Sequence, residues 1–125
     1  MAVKVTINRA HLEARLARGK EHCLPILAEQ VLQDCNQYSV PDDGEHTLKD
    51  SGRTQQRGSG YVVSWNTVYA AYQYYGCWPD GSHVVQHHTA GYTQNPSTQW
   101  AEVAKARYMR DWAAVAQREM RRGMG

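Results

Sequence analysis

The sequence predicts an α+β fold, in which a small, mainly antiparallel sheet packs against two longer helices and one short aromatic helix. Three observations lead to this prediction. Short stretches alternate apolar and polar residues, as half-buried strands do. Two long segments repeat apolar residues every three or four positions, which is typical of amphipathic helices. The segment TVYAAYQYYGCW, residues 67–78, holds four tyrosines and a tryptophan in a chain without phenylalanine.

The chain begins with an expected strand and an expected short helix. Residues 3–7, VKVTI, alternate apolar and polar side chains, which is the pattern of a strand with one buried face. Asn8 is suited to cap the helix that follows, because its side chain can accept a hydrogen bond from a free backbone N–H group. We expect this basic helix, RAHLEARLARG, to close near Gly19.

A longer helix is predicted next, with an apolar stripe that places Leu27 and Val31 in the core. Pro25 has no N–H group to donate, so the helix either begins near residues 21–24 or kinks. The sequence VPDDG then ends the helix, and Asp43-Gly44 predicts a turn.

A β-hairpin is predicted over RTQQRGSGYVVSWN, residues 53–66, with its loop at residues 58–60. We expect Tyr61, Val63 and Trp65 on the buried face of its second strand. The first strand is almost wholly polar, which favours a position at the edge of the sheet.

The short aromatic helix is predicted over VYAAYQYYG, with Asn66 or Thr67 as its N-cap and Gly76 as its stop. The sequence PDGSHVVQHH, residues 79–88, predicts a turn followed by another strand. A loop rich in glycine, proline, serine and threonine follows it.

The second long helix is expected to begin at Asn95-Pro96, since asparagine is a good cap and proline fits the first helical position. Trp100 and Ala104 are predicted to be core. Apolar residues recur every four positions along this helix, at Trp100, Ala104, Tyr108, Trp112, Ala116 and Met120. Arg118, Arg121 and Arg122 lie where the helix C-terminus favours cations.

The composition indicates one domain, residues 1–125, with a basic C-terminal tail at about 118–125. A mean hydropathy of −0.69 is that of a soluble protein, and the N-terminus lacks the apolar segment of a signal peptide. Three cysteines without a CxxC motif make a disulfide framework improbable. We therefore expect synthesis in a reducing cytoplasm.

Charge is unevenly distributed, although the net charge is only +2. Residues 1–20 carry a net charge of +4, residues 21–50 carry −6, residues 51–96 carry +1 and residues 97–125 carry +3. Complementary charges steer association, so this pattern favours oriented contacts between copies or partners. It is also compatible with solvated faces that have no functional role.

No catalytic site is predicted, and no metal or other cofactor is expected. Cys77, His83, His87 and His88 could suggest a zinc site, but a strand would place at most two of the histidines on one face. The RGSG segment lacks the lysine of a phosphate loop. The serines have no histidine and aspartate at a recognisable spacing.

The aromatic segment leaves two interpretations open. Tyrosines can stack nucleic-acid bases, and the C-terminal arginines could contact phosphates, so a DNA-binding module is one alternative. However, residues 61–78 contain no lysine or arginine. A short helix can bury only one side, which favours subunit contacts for the remaining aromatic side chains. The residues predicted to lie at or near such contacts are Tyr72, Tyr74, Tyr75 and Trp78, together with Arg118, Arg121 and Arg122.

Several motifs, in this order, resemble the small minor capsid and tail-completion proteins of long-tailed bacteriophages. In those families a long helix ends at Val-Pro, a Gly-x-x-Leu-x-x-Ser segment follows, and a hairpin leads to a Tyr-Ala helix stopped by glycine. A tryptophan then opens the last helix. The counterparts here are Val40-Pro41, then Gly44, Leu48 and Ser51 with one extra residue, then Trp65, Tyr69-Ala70, Tyr75-Gly76 and Trp100.

The resemblance implies a structural role in the phage neck. It suggests a homo-oligomeric ring, with six copies favoured, that joins the head connector to the tail tube. The implied partners are other copies, neighbouring neck proteins on the head side, and the tail terminator or tail tube. DNA passing through the ring is a further implied neighbour. The implied location is the head–tail junction of the virion. A tail terminator and a head-side connector remain alternatives.

Overall fold

A computed structural model describes residues 8–42, 44, 46–77, 81–82, 84–85, 88 and 93–125. These residues form a mostly helical α+β structure, which confirms the predicted fold class. The elements are, in order, α1 (Arg9–Tyr38), α2 (Thr47–Asp50), β1 (Arg53–Arg57), β2 (Gly60–Ser64), α3 (Ala70–Tyr75) and α4 (Trp100–Met124).

Helix α1 is one continuous helix of 30 residues, with Pro25 inside it. The predicted cap is confirmed, because the Asn8 side chain accepts a hydrogen bond from the backbone N–H of His11 at 3.0 Å. The predicted stop at Gly19 is wrong. Gly19 is buried against Met120 and Met124 of α4. Its lack of a side chain therefore allows the two helices to pack closely, and it does not end α1.

Helix α1 ends where the Val-Pro motif predicts. The N–H groups of Ser39 and Val40 both donate to the carbonyl of Cys35, at 2.9 Å each, which closes the last turn. Val40 is then fully buried. Asp43 of the expected turn lies outside the described residues, but its neighbour Gly44 has the positive φ, 88°, that such a turn requires.

The predicted hairpin is confirmed. Strands β1 and β2 pair antiparallel, with Arg57 opposite Gly60, so Gly58 and Ser59 form the loop. The hairpin packs on α1. Tyr61, Val63 and Trp65 are each half-buried, as are Leu27 and Val31 of α1.

Helix α4 begins at Trp100, so the predicted start at Asn95-Pro96 is wrong. The N–H group of Asn95 donates to the carbonyl of Tyr38 at 2.7 Å, and that of Ser97 donates to the carbonyl of Ser39 at 3.0 Å. The segment before α4 therefore lies along the end of α1 and is hydrogen-bonded to it, and it is not helical.

The core forms where α1 and α4 pack antiparallel. Its fully buried members are Cys35, Val40, Trp100 and Ala104, so two of the predicted core residues are confirmed as its centre. Half-buried side chains surround them, namely Val31, Leu48, Trp65, Tyr74, Ala101, Tyr108 and Trp112.

Two expected strands lie wholly or largely outside the described residues. Residues 3–7 lie outside the described part of the chain, as do most residues of the strand expected within 79–88. Val84, Val85 and His88 are described and are not in a strand. Among the described helices, none is both long enough and apolar enough to cross a membrane.

Candidate subunit interface

Helix α3 directs its tyrosines both inward and outward. Tyr74 packs edge-on against Trp100, with ring centroids 4.7 Å apart. Burial, followed by the charge of Glu102, raises the pKa of the Tyr74 hydroxyl. The Tyr75 ring contacts the outer side of the Tyr74–Trp100 pair, with its centroid 5.2 Å from that of Tyr74, and Tyr75 is 67% exposed. Tyr74 therefore belongs to the interior, whereas Tyr75 faces solvent.

The turn before α3 extends this exposed surface. Val68 is 92% exposed and Tyr69 is 68% exposed. Together with Tyr75 they form what we call the aromatic patch. Tyr72 is half-buried in the same helix, and Trp78 lies outside the described residues. Because large apolar side chains exposed close together are typical of contact surfaces, and these three lie within residues 68–75, we take the patch as the strongest candidate interface.

Local hydrogen bonds and one glycine hold α3 in this orientation. The helix begins at Ala70 after Tyr69, so the predicted caps Asn66 and Thr67 are wrong as caps, although the Thr67 carbonyl accepts from the N–H of Ala70 at 3.2 Å. Gly76 ends the helix, as predicted, with φ of 79°. A Cβ at this position would also lie 2.9 Å from the Thr98 side chain.

Contacts with the start of α4 fix α3 to the rest of the molecule. The N–H of Gln99 donates to the carbonyl of Tyr74 at 2.7 Å. The Ser39 hydroxyl donates to the carbonyl of Trp100 at 2.8 Å. The ends of α1, α3 and α4 therefore meet at one place, which gives the aromatic patch a rigid base.

The C-terminal arginines converge on a buried carboxylate that the sequence did not suggest. Glu119 is 3% exposed. Its side chain accepts hydrogen bonds from Arg122 Nη1 at 2.9 Å and Arg118 Nε at 3.1 Å, and His22 Nε2 lies 2.8 Å from it. The hydrogen bond from Arg118, then that from His22 and the charge of Arg122, lower the pKa of the Glu119 carboxyl, although burial opposes them.

This arrangement divides the three arginines predicted to lie at an interface. Arg118 and Arg122 are partly neutralised by Glu119. Arg121 is exposed and forms no salt bridge within the described residues. The three arginines of α4 are therefore not equivalent cations for DNA phosphates, since two of them bind the Glu119 carboxylate on the same helix.

A second buried carboxylate lies where α1 leads into α2. Asp42 is 1% exposed. Its oxygens accept from the N–H of Gly44 at 3.0 Å and contact His46 Nδ1 at 2.9 Å, and Lys49 Nζ lies 3.5 Å away. These contacts stabilise the Asp42 carboxylate and connect it to Gly44, His46 and Lys49, because a buried carboxylate is stable only when hydrogen bonds and cations surround it.

The residues that could suggest a zinc site are not brought together in the described part of the chain. There, no group of three or more histidine, cysteine or acidic side chains is placed to hold a metal. His83 and His87 lie outside the described residues, and His88 Nδ1 contacts Gln73 Oε1 at 3.0 Å.

The buried thiols are unreactive. Burial, followed by the charge of Asp34, raises the pKa of Cys35 to about 12. Burial and then the charge of Glu119 raise the pKa of Cys23. Both thiols therefore stay protonated near neutral pH, and neither is a nucleophile.

Comparison with known proteins defines the class of this chain. A family model described as minor capsid protein matches residues 3–120. The match includes α1, the hairpin, α3 and most of α4, which identifies a structural protein of the phage virion. The chain belongs to the minor capsid protein family, whose members are typically non-enzymatic. No curated protein and no solved structure gives a significant match.

Proposed function

We propose that this minor capsid protein is a subunit of a homo-oligomeric ring in the phage neck, where it joins the head connector to the tail tube. Six copies are favoured because a phage tail has sixfold symmetry. Copies on either side, the neighbouring neck proteins and the tail terminator or tail tube are its proposed partners. DNA passing through the ring is a further proposed neighbour.

The observation that carries the proposal is the aromatic patch. Val68, Tyr69 and Tyr75 are at least two-thirds exposed, while the adjacent Tyr74 is packed on Trp100. Aromatic side chains are enriched at subunit contacts, because each contributes a large apolar area and a hydroxyl at low entropic cost. Burial of these exposed side chains against another subunit would therefore favour assembly.

The uneven charge distribution supports the same proposal. A ring built from identical subunits in a head-to-tail arrangement needs two different, complementary surfaces on each subunit. The acidic stretch at residues 21–50 and the basic segments on either side of it offer that complementarity.

Two measurements test the proposal. The first locates the chain along the axis of purified virions by cryo-electron microscopy, and we expect a ring between the portal and the tail tube. A position at the tail tip or within the capsid shell would contradict it. A ring stacked on the portal itself would favour the head-side connector, and one capping the tail tube would favour the tail terminator.

The second measurement is the association of a variant with Tyr69→Ser and Tyr75→Ser. We expect assembly to weaken by at least tenfold, because aromatic anchors at interfaces each contribute about 1–2 kcal/mol or more. Met109→Ser is the matched control, since Met109 is exposed on α4 away from the patch. Equal assembly by both variants would remove the aromatic patch from the interface.

A further inference from the structure

Helix α1 extends beyond the end of α4. The last residues of α4 pack at Gly19, where Met120 and Met124 approach it. Residues 9–18 of α1 extend from this point, where Arg18 borders Gly123, over about 15 Å, given a rise of about 1.5 Å per residue. We call residues 9–18 the arm. All but one of its residues are exposed, and the remaining one is half-buried.

The arm carries an apolar stripe that α4 does not cover. Leu12 is 43% exposed and Leu16 is 44% exposed. They precede Gly19 and Cys23 at steps of four, three and four residues, so all four lie on one face of α1. Gly19 and Cys23 contact α4. The arm thus continues the α4-packing face of α1 into solvent.

Charge divides α1 into two opposite halves. Residues 9–20 contain four cations and one acid, a net charge of +3. Residues 21–38 contain three acids, Glu21, Glu29 and Asp34, and neither lysine nor arginine. Two arms would repel each other, so the arm has its complement in the acidic half of another α1.

The acidic half offers a shallow apolar groove. Ile26 is 39% exposed and lines this groove with Pro25, Glu29, Gln30 and Gln33. Within the described residues, neither Glu29 on this surface nor Arg15 on the arm takes part in a salt bridge. Both surfaces therefore combine exposed apolar side chains with charge that no ion pair among those residues satisfies.

We infer that the arm of one copy docks on the Ile26 groove of the next copy, an inference that rests on the proposed function. Leu12 and Leu16 pack against Ile26, and Arg15 lies beside Glu29. The two surfaces lie on different parts of the same chain, so the contact is head-to-tail and can close into a ring.

The test is a charge-reversal pair. Arg15→Glu alone and Glu29→Arg alone each place like charges in every contact, and we expect each to weaken self-association roughly tenfold or more. In an equimolar mixture the two variants can alternate around the ring. The arm of the Arg15→Glu copy then meets the groove of the Glu29→Arg copy, so the two charges are exchanged but still opposite. The next contact holds the native pair, Arg15 and Glu29. Sedimentation velocity at low salt should therefore show assembly restored in the mixture, in multiples of the 14.2 kDa subunit.

Arg110→Glu is the matched control, because Arg110 is an exposed arginine on α4 that lies outside both surfaces. Circular dichroism verifies the helical content of each variant. Should either variant fail to fold, Arg15→Gln and Glu29→Gln remove the same two charges without reversing them, and each should still weaken self-association.

The possible results separate this inference from the proposed function. If the wild-type chain forms rings and both reversal variants do so equally well, the arm contact is overturned and the ring is unaffected. Failure of the mixture to restore assembly also overturns the arm contact. Restoration that stops at pairs supports the contact but overturns the ring.

Discussion

The two ends of the α1/α4 pair are held together by different physical means. At the aromatic end, Trp100 lies between the rings of Trp65 and Tyr74, at centroid distances of 5.6 and 4.7 Å. At the polar end, the backbones approach closely at Gly19 and Gly123, and the buried Glu119 carboxylate joins α4 to His22 of α1.

The difference shows where each end gains its stability. The aromatic end depends on apolar area removed from water and on ring geometry, neither of which involves an ionised group. The polar end depends on the absence of side chains at two glycines and on an ionised carboxylate. We therefore expect different substitutions and conditions to destabilise the two ends of this helix pair.

The largest expected effect is at the aromatic end. Trp100→Ala should lower the free energy of unfolding by about 3–5 kcal/mol, because it leaves a large cavity among rings that cannot collapse into it. Urea denaturation measures this loss. Trp100→Phe should cost less, since among the described atoms the buried indole N–H of Trp100 has no acceptor to lose. Equal losses for both variants would contradict this account of the aromatic end.

Next in size is a change at the helix crossing. A Cβ at residue 123 would lie 2.6 Å from the Cβ of His22 and 2.9 Å from Gly19 Cα. Gly123→Ala should therefore lower the free energy of unfolding by about 1–3 kcal/mol, despite the better helix propensity of alanine. Gly60→Ala is the control, because the nearest atom to its Cβ is 3.8 Å away. A stabilised Gly123→Ala variant would show that the helices do not cross this closely.

A smaller effect distinguishes the two ends by pH. The folded-state pKa of Glu119 is below the ordinary value, so its stabilising contribution is present above that ordinary value and is lost as pH falls through the folded pKa. Glu119→Gln should be less stable at neutral pH and should lose less stability in acid than the wild type. Thermal unfolding between pH 7 and pH 3 measures both. Glu13→Gln, which removes an exposed pair with Arg9, should leave the acid dependence unchanged.

The smallest effect on stability is expected outside both ends, in the aromatic patch. Val68→Ser should change the free energy of unfolding by no more than about 0.5 kcal/mol, because the Val68 side chain is almost fully exposed. Denaturation at low protein concentration, where subunits are separate, tests this. A loss above about 1 kcal/mol would show that the patch supports the fold.

Local patterns predicted several elements well. The N-cap at Asn8, the hairpin and the stop at Gly76 all depend on hydrogen bonds or backbone angles within a few residues, which the sequence encodes directly. The four-residue repeat from Trp100 to Met120 likewise follows from helix geometry. These predictions needed no knowledge of what packs where.

Two of the wrong predictions share one cause. Gly19 was expected to end a helix, and Asn95-Pro96 to begin one, because both sequences favour such ends. Gly19 instead meets Met120 and Met124, and the N–H of Asn95 instead meets the carbonyl of Tyr38. For Gly19 the deciding partner lies about a hundred residues away, and for Asn95 it lies about sixty residues away. Local propensity is too weak to prevail against such contacts.

The candidate interface was predicted only in part. The excess of tyrosine in residues 67–78 indicated exposed aromatic side chains, and Tyr75 is one of them. Nothing in the spacing separated it from Tyr74, which packs on Trp100. The sequence predicts Leu12 and Leu16 as part of a short basic helix, whereas their exposure depends on where α4 ends, beside Gly19.

The sequence by itself determined the mixed α+β class, the amphipathic helices and the division of charge, because periodicity and capping act over a few residues. Tertiary structure alone decided that α1 is continuous through Pro25, that Glu119 is buried against His22, and which tyrosines face inward. Burial depends on which distant elements meet. That meeting also leaves the arm and the aromatic patch exposed, which is the basis for proposing them as subunit contacts.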